Sequence, residues 1–183
     1  MTDDEAPTWW QEHHAFLQQC AEEGEADAGP PFSPQLLDLL ADRHLEVREM
    51  AATTLAGLVR CSQRSLVHTL RARFVAQVAA RPVPRRGAPH YDAQLLALHA
   101  ALLGATALVA AFPYEVPAWM PDLVLDTIAP HSDDPVPIST TVRHCAAEFR
   151  RTHQDTWAED QRQFGDRVQE VNDFTLGRSD YFV

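Results

Sequence analysis

The nine histidines are the side chains best suited to acid–base or metal chemistry, and their spacing argues against both. They stand at His13, His14, His44, His68, His90, His99, His131, His144 and His153. A hydrolytic zinc helix needs His-Glu-x-x-His, which places two imidazoles on one face a turn apart, and no such run occurs. His144 and Cys145 are neighbours, but adjacent side chains on a helix point about 100° apart and do not converge on one ion. Asp133 and Asp134 form a candidate carboxylate pair, yet they run into Pro135, which marks them as turn and helix-capping residues. All 15 Lys+Arg residues are arginine. A phosphate-binding P-loop, a Schiff-base amine and a Ser-x-x-Lys nucleophile each require a lysine, so all three are excluded. Cys20, Cys61 and Cys145 are odd in number and far apart, the pattern of free thiols in a reducing compartment. No catalytic residue, metal or cofactor is therefore expected, and an enzyme is the disfavoured reading.

What remains is binding. The chain ends Arg178-Ser179-Asp180-Tyr181-Phe182-Val183, with two aromatics and a β-branched residue at an otherwise polar terminus. A frayed end gains nothing from exposing apolar surface, so these residues either fold back onto the body or are displayed for a partner. The net charge of −11 opposes general nucleic-acid binding, which needs a basic surface. Charge is unevenly placed, however: no Asp or Glu occurs between Met50 and Tyr91, a stretch that carries Arg60, Arg64, Arg71, Arg73, Arg81, Arg85 and Arg86. Such a band reads first as a solvated helix surface. Arg150 and Arg151 read the same way.

The elements that must position these residues are helical, because apolar residues recur at helical period and no alternating runs joined by hairpin turns are found. An apolar segment at 34–40 and a longer one at 45–59 flank Asp42. In the second, Val47, Met50, Ala51, Thr54, Leu55, Leu58 and Val59 are predicted to form one stripe, with Arg48 and Glu49 facing away. The same layout returns 91 positions later, where Asp133 matches Asp42 and Val142, Ala146 and Phe149 match Ala51, Leu55 and Leu58. That offset is two units of the ~40–47 residues typical of HEAT-type repeats. A middle repeat is expected from a helix at 64–80, the arginine- and proline-rich loop 81–88 and an apolar helix at 92–112. The last repeat is expected from helices at 117–129 and 135–153, with Trp119 and Trp157 as packing anchors.

The stretch Leu95–Phe112 approaches the length of a membrane span, but it contains His99 and suits the centre of a stacked array, so no membrane is expected. No secretory signal is visible at the N-terminus. The expected organisation is an uncertain helix and acidic linker at 1–33, about three repeats over 34–174, and a tail at 175–183. The fold class is all-α: a HEAT-like α-solenoid with a short extended C-terminal tail.

Three collinear stretches resemble the C-terminal region of the large HEAT-repeat proteasome activator, the proteasome activator complex subunit 4 family. They are Leu45-Glu46-Val47-Arg48-Glu49-Met50-Ala51-Ala52-Thr53-Thr54-Leu55, Phe112-Pro113-Tyr114-Glu115-Val116-Pro117-Ala118-Trp119-Met120-Pro121 and Phe149-Arg150-Arg151-Thr152-His153-Gln154-Asp155-Thr156-Trp157. The resemblance implies a non-enzymatic, ATP-independent activator that caps the 20S proteasome core particle and admits unfolded substrates. It also implies that Tyr181, Phe182 and Val183 dock between core α-subunits. There the family places a hydrophobic residue, a tyrosine and any last residue. A carboxylate pairing with a pocket lysine and a packed aromatic would supply the contact. Phe182 lacks the phenolic oxygen, and one lost hydrogen bond costs about 0.5–1.5 kcal/mol. The family resemblance further implies acetylated-histone recognition just after Cys61. Ser62 and Gln63 stand here in place of an Asn-Phe pair, a departure from the asparagine amide and aromatic wall that an acetyl-lysine needs. The loop Arg81-Pro82-Val83-Pro84-Arg85-Arg86 is similar to a more basic family loop that resembles an import signal, which implies nuclear as well as cytoplasmic residence. The alternative is a HEAT-repeat adaptor that binds histone tails or other proteins without opening a gate.

Overall fold

In the computed structural model, which describes residues 34–62 and 64–176, every regular element is helical. The N-terminal helix and linker expected before Pro34, and the tail from Gly177 onward, lie outside the described residues. Helix α1 is Pro34–Leu39 and α2 is Leu45–Arg60. Between them the Asp42 carboxylate accepts the His44 backbone N–H at 2.7 Å, and that bond, with a second from the His44 ring, holds the Asp42 carboxyl below its ordinary range. Helix α3 is Arg64–Ala79 and α4 is Tyr91–Ala110. A composite helix α5 starts at Met120–Asp122, widens into a π-helical turn over Leu123–Ile128 and tightens into a 3-10 turn over Ala129–His131. Helix α6 is Ile138–His153, and the short α7, Trp157–Asp160, passes through a 3-10 segment, Gln161–Arg167, into α8, Val168–Leu176. Gly165 makes that junction with a φ of 53°, the left-handed region glycine enters without steric cost.

Helix α4 is the centre of the solenoid. It packs against α2, α3, α5 and α6. Its run of Ala and Leu is apolar all round, as a helix covered on several sides must be. Leu98, Leu102, Ala105 and Leu108 are fully buried. Helix α4 is also long and apolar enough to cross a membrane, and just over half of that stretch is buried within the structure. Gly104 permits the closest approach: a Cβ there would overlap the Phe74 ring of α3.

The predicted stripe of α2 is corrected. Its buried face is Arg48, Ala51, Ala52, Leu55, Ala56 and Val59, while Met50 is 67% exposed and Leu58 42% exposed. The small alanines bring α2 close to α4, and Arg48 turns inward because α4 supplies it with a buried acceptor, His99. The repeat matching consequently agrees at Val142 and Ala146, both buried like Ala51 and Leu55, but pairs the buried Phe149 with the exposed Leu58.

Two helix starts also differ from the expectation. Pro117 accepts the Met120 N–H in a turn at 2.8 Å, so α5 begins three residues later than Pro117. Val136 precedes Pro137 and is biased away from helical geometry, so α6 begins at Ile138 and not at Pro135. Asp133 and Asp134 do occupy a turn, with Asp134 N–H donating to His131 O, but no side chain caps α6. The Asp134 carboxylate instead meets the His131 ring, and Asp133 lies 3.5 Å from Arg143 at the surface.

Candidate functional site

Tyr181, Phe182 and Val183 lie outside the described residues, so the structure supplies the platform from which they leave. That platform is α8. Val171 is fully buried, and α8 packs on α6 and α5. Arg167 stands at its N-terminal end and spreads its guanidinium over Asp126 of α5, with Nη1–Oδ2 at 3.1 Å and Nη2–Oδ1 at 2.5 Å, and over Glu170 at 3.1 Å. The fork geometry matches a carboxylate bidentately. The Arg167 hydrogen bonds hold the Asp126 carboxyl below its ordinary range, and the same bonds raise the guanidinium's own. Because these carboxylates are exposed, the cluster fixes orientation more than it adds stability.

An aromatic groove of about 270 Å³ opens between the end of α6 and α8. Phe149 and His153 stack on its floor with ring centroids 4.2 Å apart, and Trp157 meets Phe149 edge-on at 6.3 Å. Phe164 joins the cluster, 6.1 Å from Phe149 and 5.9 Å from Trp157. The His153 ring lies between two carbonyls, with the Phe149 oxygen 2.9 Å from Nδ1 and the Glu115 oxygen 3.3 Å from Nε2. Leu176, the last residue of α8, forms one wall, and Arg150 stands exposed at the rim. Trp157 packs as expected of an anchor, and Trp119 does so against Phe112 at 5.4 Å. Arg151 is neutralised by Glu148 at 2.6 Å, whereas Arg150 makes no ion pair or hydrogen bond among the described residues.

The buried polar cluster around His99 is structural. Arg48 Nε donates to His99 Nδ1 at 3.1 Å, and Arg48 Nη1 donates to the carbonyls of Asp42 at 2.7 Å and Arg43 at 3.2 Å. A guanidinium only donates, so His99 Nδ1 is the lone-pair nitrogen and Nε2–H donates to Thr141 Oγ1 at 2.9 Å. Burial first, and the Arg48 charge second, push His99 down to about 4. It is a neutral imidazole between fixed partners, with no open side for a substrate. Cys145 is similarly inert, its thiol pushed up to about 12 by burial.

Ser62 lies just past the end of α2, where its hydroxyl donates to the Leu58 carbonyl at 2.6 Å. Gln63 lies outside the described residues, and Ser62 lines neither the aromatic groove nor the second one, which lies between α1, α3 and α4. The arginine band is dispersed. Arg60 caps α4 by donating to the Ala110 and Ala111 carbonyls, Arg81 donates to the Gln77 carbonyl, and Arg85 and Arg86 project from the loop into solvent. Among the described residues no three His, Cys, Asp or Glu side chains gather into a metal-binding group. Sequence reasoning missed the Arg48–His99 pair and the groove, because both join residues far apart in the chain.

Comparison of the sequence with known proteins gives its family. The family described as "Proteasome activator complex subunit 4-like, C-terminal" matches residues 95–183. The chain is 41% identical over 138 residues to proteasome activator complex subunit 4 of Xenopus laevis and 40% identical over 139 residues to that of Homo sapiens. It is 37% identical over 146 residues to proteasome activator subunit 4 of Arabidopsis thaliana. The matches cover 72%, 72% and 79% of this chain but only 8%, 7% and 8% of the relatives, so it spans a small part of their length. By sequence, the chain belongs to the C-terminal region of the proteasome activator complex subunit 4 family.

Proposed function

We propose that this chain acts as the C-terminal segment of an ATP-independent proteasome activator, docking Tyr181, Phe182 and Val183 into the α-ring of the 20S core particle to promote substrate entry. The observation that carries the reading is the extent of the family match, which runs through residue 183 and so includes the tail. On this reading the protein regulates a peptidase and performs no turnover of its own. The test is a synthetic peptide ending Asp180-Tyr181-Phe182-Val183, added to purified core particle while hydrolysis of a fluorogenic substrate is followed. Stimulation that disappears when Val183 is removed supports docking and gate opening. Stimulation only by the Phe182→Tyr peptide means that this tail does not open the gate, leaving a docking or scaffold role. Silence from both, with the core activatable by other means, returns the adaptor reading.

The reading extends to acetylated histones only through Ser62 and Gln63, and the Ser62 hydroxyl is already committed to the Leu58 carbonyl. Titration with an acetylated histone-tail peptide, with its unacetylated form as control, decides that extension. Nuclear as well as cytoplasmic residence is proposed on the exposed Arg85 and Arg86, and a fluorescent fusion carrying Arg85→Ala and Arg86→Ala tests it by loss of nuclear signal.

A further inference from the structure

The aromatic groove beside α8 has no role in the docking reading, which needs only the tail. Its position is nevertheless particular: Leu176 forms one wall, so the chain that follows begins at the groove's own edge. Leu176 is 61% exposed, an apolar side chain awaiting cover. The floor, made of stacked Phe149 and His153 with Trp157 beside them, suits an aromatic side chain, which packs edge-on or offset against such a surface. At about 270 Å³ the groove falls just under the ~300–1,000 Å³ usual for small-molecule sites and suits a side chain better than a cofactor.

Charge narrows the occupant. Arg150 at the rim makes no ion pair or hydrogen bond among the described residues, whereas its neighbour Arg151 is held by Glu148. In the following segment, Gly177-Arg178-Ser179-Asp180-Tyr181-Phe182-Val183, a carboxylate directly precedes two aromatics, the complement of one cation beside an aromatic floor. Five steps from Leu176 to Tyr181 reach about 17 Å at most, more than the ~10 Å width of a helix. Glycine at 177 is the residue type that most readily reverses a chain after a helix.

We infer that Tyr181–Phe182 of the same chain occupies this groove, with Asp180 against Arg150, whenever no partner holds the tail. The contact itself stands apart from the proteasome reading; only its consequence, that docking requires release of the tail, rests on it. The groove then shelters two aromatics that would otherwise be exposed.

The test compares amide and indole NMR spectra of the full chain, of the chain ending at Leu176, and of the full chain carrying Arg150→Glu, a surface change. Removing the tail should shift the signals of Arg150, His153 and the Trp157 indole, Arg150→Glu should reproduce part of that shift, and both should be unchanged on dilution. Shifts confined to the residues next to the cut would overturn the proposal, as would shifts that vanish on dilution, which would assign the groove to the tail of a second copy. Assayed with core particle, the Arg150→Glu chain should stimulate hydrolysis more than the unaltered one. If the spectra behave as expected while neither chain stimulates, the docking reading fails and the intramolecular contact stands.

Discussion

Protonation of His99 should dissolve part of the core, and the effect can be sized. In the folded chain both imidazole nitrogens are committed, Nδ1 as acceptor from Arg48 and Nε2–H as donor to Thr141. A second ring proton would face a guanidinium. The folded-state value of about 4 lies below the ordinary 6.5, so between these values the unfolded chain binds the proton and the folded chain does not. Stability from this residue is therefore complete above pH 6.5, falls as pH drops through the window, and changes little more below pH 4. At about 1.36 kcal/mol per unit, the loss at pH 5 is about 2 kcal/mol. The variant His99→Gln cannot titrate. It starts less stable, by about 1–3 kcal/mol for imperfectly met hydrogen bonds. Urea unfolding of both chains at pH 7 and pH 5 gives the decisive quantity, the gap between them, in which groups common to both chains cancel. That gap should shrink by about 2 kcal/mol. A gap equal at the two pH values would refute the assignment of a neutral, buried His99.

Other expectations follow from packing and burial. Gly104→Ala should destabilise by about 1–3 kcal/mol in urea or thermal unfolding, since the new methyl meets the Phe74 ring within a filled core. Met50→Ser should change stability by no more than about 0.5 kcal/mol, whereas Val59→Ala, on the face turned toward α4, should cost clearly more; equal costs would contradict the orientation of α2. Alkylation under native conditions should label Cys61 readily and spare Cys145, and mass spectrometry of the digested protein reads both sites.

Helix class and order were legible in the sequence because period and turn chemistry are local. Ala-Leu continuity marked α4 as the covered helix, and Asp42 and Asp133 marked two turns. The face of α2 was not legible. Its apolar residues cover more than half a turn, so either of two overlapping stripes satisfied the pattern, and only contact with His99, 51 positions away, selects the one containing Arg48. The late starts of α5 and α6 show the limit of proline as a helix signal: Pro117 opens a turn that the Met120 N–H closes, and Pro137 restricts Val136 before it, so neither Pro117 nor Pro135 begins its helix. The aromatic groove was invisible for a different reason. Phe149 and Trp157 announced an anchor, but the wall at Leu176 depends on the left-handed turn at Gly165 that brings α8 back alongside α6.

The link from Arg48 through His99 to Thr141 crosses three helices in one line, α2 to α4 to α6. Alanine-lined seams fit almost equally well if one helix slides past another by a turn, about 5.4 Å, because small apolar side chains repeat along them. A donor–acceptor chain has no such periodicity. A slip at either seam would strand a buried guanidinium or a ring nitrogen without its partner, a penalty of several kcal/mol for a charge and about 1–3 for a neutral group. The polar line thus acts as a vernier on an otherwise smooth scale, and the position of everything mounted on α6, the aromatic groove included, is measured from it.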